Sequence, residues 1–175
     1  MISFIIPAFN SSKTIERAIK SILKQEHTSL DFEIIIINDG SSDNLDEKME
    51  KYKENKKIKY FKKENSGVAD TRNFGVRQAS GDYIIFVDSD DYISSSMLKD
   101  IEVYINKNID LIKWNPIILD EEYKTEQKQA VVSFDVITGE EGFNNLFGKD
   151  NFMDCLWNYA IKKKIIQEFP SRMLS

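Results

Sequence analysis

Three carboxylates fall within four positions of "FVDSDDY", residues 86–92: Asp88, Asp90 and Asp91. Placed so close, they raise one another's pKa values unless a cation joins them. An oxygen-only donor set without histidine or cysteine suits Mg2+ or Mn2+. Such ions are held by one or two carboxylates and completed by phosphate oxygens and water. On a strand-to-turn segment, positions i and i+2 can face one side. Asp88 and Asp90 can then converge while Asp91 points elsewhere. The alternative is a helix N-cap cluster, because "SDDYISSSML" leads into a helical pattern. Two other polar clusters, "PAFN" at 7–10 and "NDGSSD" at 38–43, also follow apolar runs. Alone, "NDGSSD" reads as a turn.

The elements that must carry these clusters are legible from periodicity. "ISFIIPAF" and "FEIIIIN" are apolar runs of strand length, the second rich in β-branched residues and suited to burial on both faces. Between them Ile15, Ala18, Ile19, Ile22 and Leu23 recur at helical spacing, with Ser11 or Ser12 as the expected N-cap. A polar helix near Leu45 to Lys53 follows, then "KIKYFK", which alternates like an edge strand. "SGVADTRNFGVRQAS" is a helix opened by Ser66 and Gly67 and closed near Gly81. "DYIIFVD" is another buried strand. "SSSMLKDIEVYINKN" is a helix with Met97, Ile101, Tyr104 and Ile105 on one face. This alternation predicts a mostly parallel α/β sheet with crossover helices on both faces. In such sheets ligands bind at the carboxyl ends of the strands, where helix N-termini favour phosphate. The clusters after the first, second and fourth strands therefore share one rim.

The second half is less regular. "DLIKWNPIIL" and "QAVVSFDV" read as strands around a charged loop, "DEEYKTEQK". "TGEEGFNNLF" opens with a capping box, Thr138 with Glu141. "FMDCLWNYAIKKKII" reads as a last helix with Phe152, Leu156, Tyr159 and Ile166 on its buried face.

Composition narrows the function classes. The chain has 175 residues, 41% hydrophobic and 30% charged, which predicts a packed core. A net charge of -5 argues against a general nucleic-acid binder, and no nucleic-acid partner is expected. The single cysteine, Cys155, and single histidine, His27, exclude the usual zinc sites and point to a reducing compartment. A Ser-His-Asp triad would need His27, which sits in the polar stretch "QEHTS" and reads as a surface residue. No G-x-G-x-x-G follows the first strand, which removes dinucleotide binding. Pro7 interrupts the N-terminal apolar run, so neither a signal peptide nor a spanning helix is expected. The expected location is cytoplasmic. Lys162, Lys163 and Lys164 beside Ile165 and Ile166 read as a solvated helix face or as a peripheral contact with the inner face of a membrane.

The ordered set is more specific than its parts. "FIIPAFNSSKTIERAIKSILKQ", "FEIIIINDGSSDN" and "ENSGVADTRNFGVRQASGDYIIFVDSDDY" closely resemble the nucleotide-diphospho-sugar domain of family 2 inverting glycosyltransferases of the GT-A fold. The resemblance covers about the first 105 residues. "CLWNYAIKKKII" resembles a weaker element that many bacterial members carry. The resemblance implies a UDP-sugar donor, a glycan or lipid-linked acceptor, Mn2+ or Mg2+ as cofactor, and a place in bacterial-type surface polysaccharide synthesis. Pro7, Ala8, Phe9 and Asn10 match the family's P-x-[YF]-N, so Phe9 would lie against the base while Pro7 and Ala8 shape its pocket. Asp39 would accept the N3–H of uracil. Gly67, with Ser66, opens the helix carrying Arg72, which would stand near the nucleotide. In the D-x-D motif of Asp88, Ser89 and Asp90, Asp88 would serve ribose or metal, and Asp90 the metal. The plainer alternatives are Phe9 as core, Asp39 as a turn cap, and Arg72 as a helix-surface partner of an acid.

One expected part is missing. The family's catalytic base is an acidic residue, often in an "ED" pair, beyond the D-x-D strand. No "ED" follows "DSDD". Glu140, Glu141 and Asp154 are candidates by type only. The expectation is a base beyond Ser175, with 1–106 as a donor-binding subdomain and 107–175 as a partial acceptor-side subdomain. The competing expectation is a non-catalytic nucleotide-sugar-binding module of a larger protein.

Overall fold

A computed structural model describes residues 1–114, 119–120, 125–126 and 158–168. The chain runs β1 (Ile2–Ala8), α1 (Ile15–Leu23), β2 (Phe32–Asp39), α2 (Leu45–Glu50), β3 (Ile58–Lys63), α3 (Val68–Gln78), β4 (Tyr83–Phe86), α4 (Met97–Asn106), β5 (Leu111–Lys113), β6 (Leu119–Asp120), β7 (Thr125–Glu126), β8 (Tyr159–Lys162) and α5 (Lys163–Glu168). Six strands form one mixed sheet in the order β3-β2-β1-β4-β8-β5, and β6 pairs with β7 separately. The β3-β2-β1-β4 part is parallel, and β8 runs antiparallel to both β4 and β5.

The apolar alternation of β1 and β2 builds two cores. Phe4, Ile6, Ile34 and Ile36 face one side with Ile15, Ile19 and Ile22 of α1. Ile5, Ile35 and Ile37 face the other with Val76 of α3. All four isoleucines from Ile34 to Ile37 are fully buried, and each such side chain stabilises the fold by roughly 1.5–3 kcal/mol. Gly75 lets α3 lie against the sheet. A Cβ there would collide with Ile5 and stand 2.9 Å from Ile37 Cδ1. β3 is an edge strand, as its lysine-rich alternation predicts.

Several expectations need correction. The stretch read as one helix, "FMDCLWNYAIKKKII", is a strand over Tyr159–Lys162, with a helix only from Lys163. β8 fills the slot between β4 and β5, and its four residues are all buried. Tyr159 and Ile161 join one core and Ala160 the other, so strand pairing overrides the helical spacing. Phe152 and Leu156 lie outside the described residues, as do "QAVVSFDV" and the Thr138–Glu141 box. Within "DEEYKTEQK", read as a loop, Thr125–Glu126 pairs with β6. The N-cap of α1 is Thr14, without a side-chain bond. The Ser11 carbonyl accepts from the Thr14 and Ile15 amides instead.

The lysine run is not a solvated face. Lys162 is buried and bonds Asp110 Oδ1 at 2.5 Å, and Lys163 donates to the Ala79 carbonyl at 2.6 Å. Only Lys164 has a mainly exposed side chain. No helix among the described residues is long and apolar enough to cross a membrane.

Candidate functional site

The chain leaves β1, builds outward to β3, then returns to β4 on the other side of β1. This makes a switch point between β1 and β4, the position where open α/β sheets open a crevice. The β1–β4 pairing stops at Ile5 and Phe86. Pro7, still paired in register with Ile37 of β2, lies beyond it. A proline's missing donor is tolerated where a strand has a free side. Ala8 is buried just before the rim. Phe9 is 53% exposed, so it is not core. Asn10 takes a left-handed φ of 50°, which asparagine tolerates better than most residues. Its amide donates to Ser41 Oγ at 3.0 Å, and its Oδ1 accepts from the Ser42 amide at 2.9 Å. Asp43 accepts from the Ser12 amide at 2.8 Å. The loops after β1 and β2 are therefore stitched together.

Asp39 ends β2 and is 4% exposed. Its Oδ1 accepts from Lys63 Nζ at 2.5 Å and the Ser66 amide at 3.0 Å, and its Oδ2 from the Gly67 amide at 3.1 Å. Burial pushes this carboxyl up. Lys63 and the Ser66 amide outweigh burial and hold it below the ordinary aspartate value. Asp39 is not the cap of the turn that follows. That role falls to Asn38, whose Oδ1 accepts from the Ser41 amide at 2.8 Å. The Asn65 side chain donates to the Asp39 carbonyl at 2.9 Å. Gly40, at φ +72°, admits this approach, since a Cβ there would lie 2.8 Å from the Asn65 nitrogen. Gly67, at φ +89°, then turns the chain into α3 without a side-chain cap.

Arg72 of α3 reaches across to β4. Its Nη2 donates to Asp88 Oδ1 at 2.9 Å, and its guanidinium lies 5.8 Å from the Phe86 ring centroid. The side chain is only 17% exposed, so it is no surface residue. Arg72 Nε is buried with no hydrogen-bond partner among the described residues. A buried unpaired donor marks a place for a ligand or an ordered water.

Asp88, Ser89, Asp90 and Asp91 form a turn closed by the Asp91 amide on the Asp88 carbonyl at 3.0 Å. They do not cap a helix, because α4 begins at Met97 with Ser96 as its N-cap. Arg17 of α1 donates to the Asp90 carbonyl and lies 5.0 Å from the Tyr92 ring centroid. Asp88 and Ser89 are half-buried, and the Asp90 side chain is exposed. Burial pushes the Asp91 carboxyl above its ordinary value, and the charges of Asp90 and Asp88 push the same way.

The described residues contain no group of three or more carboxylate, histidine or cysteine ligands for a metal. The turn offers one or two carboxylates and excess negative charge. That fits a cation completed by ligand oxygens and water rather than a protein cage. His27 is exposed, as expected. Glu140, Glu141 and Asp154 lie outside the described residues. Lys63, Asn65, Asn38 and Asp43 were not singled out by sequence, since lysine and asparagine near a turn look the same whether solvated or bonded.

The profile of Glycosyl transferase family 2 matches residues 3–169. The chain belongs to this family. Two relatives at a third or more identity agree with the assignment. TarS, the poly(ribitol-phosphate) beta-N-acetylglucosaminyltransferase of Staphylococcus aureus (strain Mu50), is 35% identical over 108 residues, 61% of this chain and 19% of TarS. The cholesterol galactosyltransferase of Borreliella burgdorferi is 35% identical over 179 residues, 94% of this chain and 49% of that protein. Residues 1–349 of S. aureus TarS in complex with UDP-GlcNAc superpose with a TM-score of 0.68 at 25% identity, covering 95% of this chain and 46% of that one. The mannosyltransferase PcManGT of Pyrobaculum calidifontis, in complex with GDP-Man and Mn2+, shares the fold at a TM-score of 0.57 and 17% identity, over 65% of this chain and 35% of its own. The chain thus spans half or less of the length of these relatives and structural neighbours.

Proposed function

We propose that residues 1–106 form the donor-binding half of a metal-dependent, inverting glycosyltransferase that uses a UDP-sugar. Residues 107–175 would contribute part of the acceptor side, and the acceptor would be a surface glycan or a lipid-linked precursor. The observation that carries the reading is Asp39. It is a buried, charged carboxylate, fixed by three donors at the rim. Ala8 and Asn38 pair in register, so Phe9, the first residue past β1, and Asp39, the last of β2, follow that pair. An acceptor-only group beside an exposed aromatic ring suits a base that presents an N–H, as uracil does through N3. TarS, crystallised with UDP-GlcNAc, supports the same donor class.

Pro7 and Ala8 would form the pocket wall, with Phe9 against the base. Asn10 would hold the loop beneath it. Gly67 would allow close approach at the start of α3. Arg72, with its Nε–H unpaired, would donate to an anionic donor oxygen while keeping Asp88 in place. Asp90, with Asp88, would hold Mn2+ or Mg2+ beside Ser89. A divalent ion bound there would neutralise charge on the departing diphosphate. In the transfer, the acceptor oxygen bonds to the anomeric carbon from the face opposite the diphosphate. The bond from that carbon to the diphosphate oxygen breaks, and configuration inverts. The acceptor proton would pass to a carboxylate outside the residues placed here.

Calorimetric titration of UDP with and without Mn2+ tests the proposal. It predicts binding in both conditions, tighter with metal. Absence of binding in both would overturn it.

A further inference from the structure

Lys63 closes β3 directly beside Asp39, and the two residues pair in register across β2 and β3. Its side chain is 14% exposed. The ammonium group bonds Asp39 Oδ1, Ser66 Oγ and the Glu64 carbonyl, the last at 3.0 Å. These three acceptors use all three of its protons, so Lys63 has none left for a ligand. It can act only through its neighbours.

Its main neighbour is then left with one kind of capacity. Lys63 and the Ser66 amide fill Oδ1, while Oδ2 accepts a single bond, from Gly67. A carboxylate oxygen accepts about two hydrogen bonds. One acceptor position on Oδ2 therefore remains among the described contacts. The charged groups facing this carboxylate from the packed elements are few. Lys63 comes from β3. Asp70 of α3 lies 3.5 Å from the same lysine and accepts from Ser66 Oγ at 2.6 Å. The β1 side contributes neutral Asn10, bonded to Ser41 of the loop after β2.

We propose that Lys63 is a positioning residue that holds Asp39 as a fixed, proton-free acceptor and so sets selection of a pyrimidine with an N3–H over one with an N3 lone pair. The inference rests on the uridine reading above. Without the ammonium group, only the two backbone amides and the neutral Thr71 hydroxyl oppose burial of the carboxylate. A protonated Asp39 presents an O–H donor, which repels the N3–H of uracil and matches the N3 lone pair of cytosine. Selection would then depend on pH.

The test uses Lys63→Met, which keeps length and removes charge, and Lys63→Arg, which keeps charge. The Asp39 Cγ resonance is titrated in each, and metal-free affinities for UDP and CDP are measured near pH 5 and pH 8. In Lys63→Met the Asp39 midpoint should rise by at least about one pH unit. Its UDP affinity should fall from about pH 8 to about pH 5 by more than that of the wild type, with the preference over CDP narrowing. The wild type and Lys63→Arg should keep their preference across that range. An unmoved Asp39 midpoint in Lys63→Met, or an equal UDP loss at both pH values, would overturn the proposal. If the wild type binds neither nucleotide, the uridine reading and the selectivity claim both fail. The Asp39 midpoint would still decide whether Lys63 governs that carboxylate.

Discussion

The two carboxylate clusters on the rim are built in opposite ways. At the end of β2, Asp39 is buried, ringed by three donors and held below its ordinary pKa. After β4, Asp91 is held above its ordinary pKa by burial, with Asp90 and Asp88 adding repulsion. Arg72 pairs with Asp88, and Arg17 only partly offsets the rise at Asp91; the Arg72 Nε is unpaired among the described residues. The first cluster is electrostatically complete without a ligand. The second has an excess of negative charge that a cation would relieve. A donor site divided this way would read the base with preformed geometry and gather the diphosphate only with metal.

Breaking the completed cluster should have the largest effect. Asp39→Ala leaves Lys63 and two amides without their acceptor. Removing one partner of a buried pair costs about 3–5 kcal/mol. The variant should show a clearly lower Tm and lose UDP binding with or without Mn2+. Asp90→Asn should separate the two halves. Its side chain is exposed, so Tm should stay within about 1 °C of wild type, surface substitutions being nearly neutral. UDP binding without metal should persist while the gain on adding Mn2+ disappears. Phe9→Ala should leave Tm unchanged for the same reason and weaken UDP binding by about 1–3 kcal/mol, the range for a lost base–aromatic stack.

The smallest expected effect has the most informative sign. A carboxyl whose folded pKa is depressed stabilises the protein above its unfolded value and loses that contribution as pH falls through the folded one. A carboxyl whose folded pKa is raised does the reverse and destabilises the protein above its unfolded value. Asp39→Asn should therefore lower Tm near pH 7, and Asp91→Asn should raise it slightly. The Asp39 difference should shrink as pH falls below about 3.8, the ordinary aspartate value, whereas the Asp91 difference should shrink as pH falls toward 3.8 from above and be gone below it. Thermal melts across that range check the signs. Like signs for the two variants would remove the contrast.

Much of this arrangement was legible in the sequence because the first half obeys local rules. The isoleucine run of β2 can bury both faces only inside a sheet, and Gly67 before Val68 marks a helix start. The order of "PAFN", "NDGSSD", "TRNFG" and "DSDD" located the rim. What escaped depends on register and distant partners. Lys63 on an alternating edge strand looks like a solvated lysine until β3 pairs with β2 and sets it beside Asp39. Asn38 and Asp39 look equally like turn residues, and only the fold shows which one caps the turn. Tyr159–Lys162 kept a helical spacing that the open slot between β4 and β5 overrode.

The most direct test is a crystal structure of the chain with UDP and Mn2+. The account predicts uracil N3 within hydrogen-bond distance of Asp39 Oδ2, its ring against Phe9, and anomalous density for manganese between Asp90 and the diphosphate. A base bound away from Asp39, or manganese coordinated without Asp90, would contradict it.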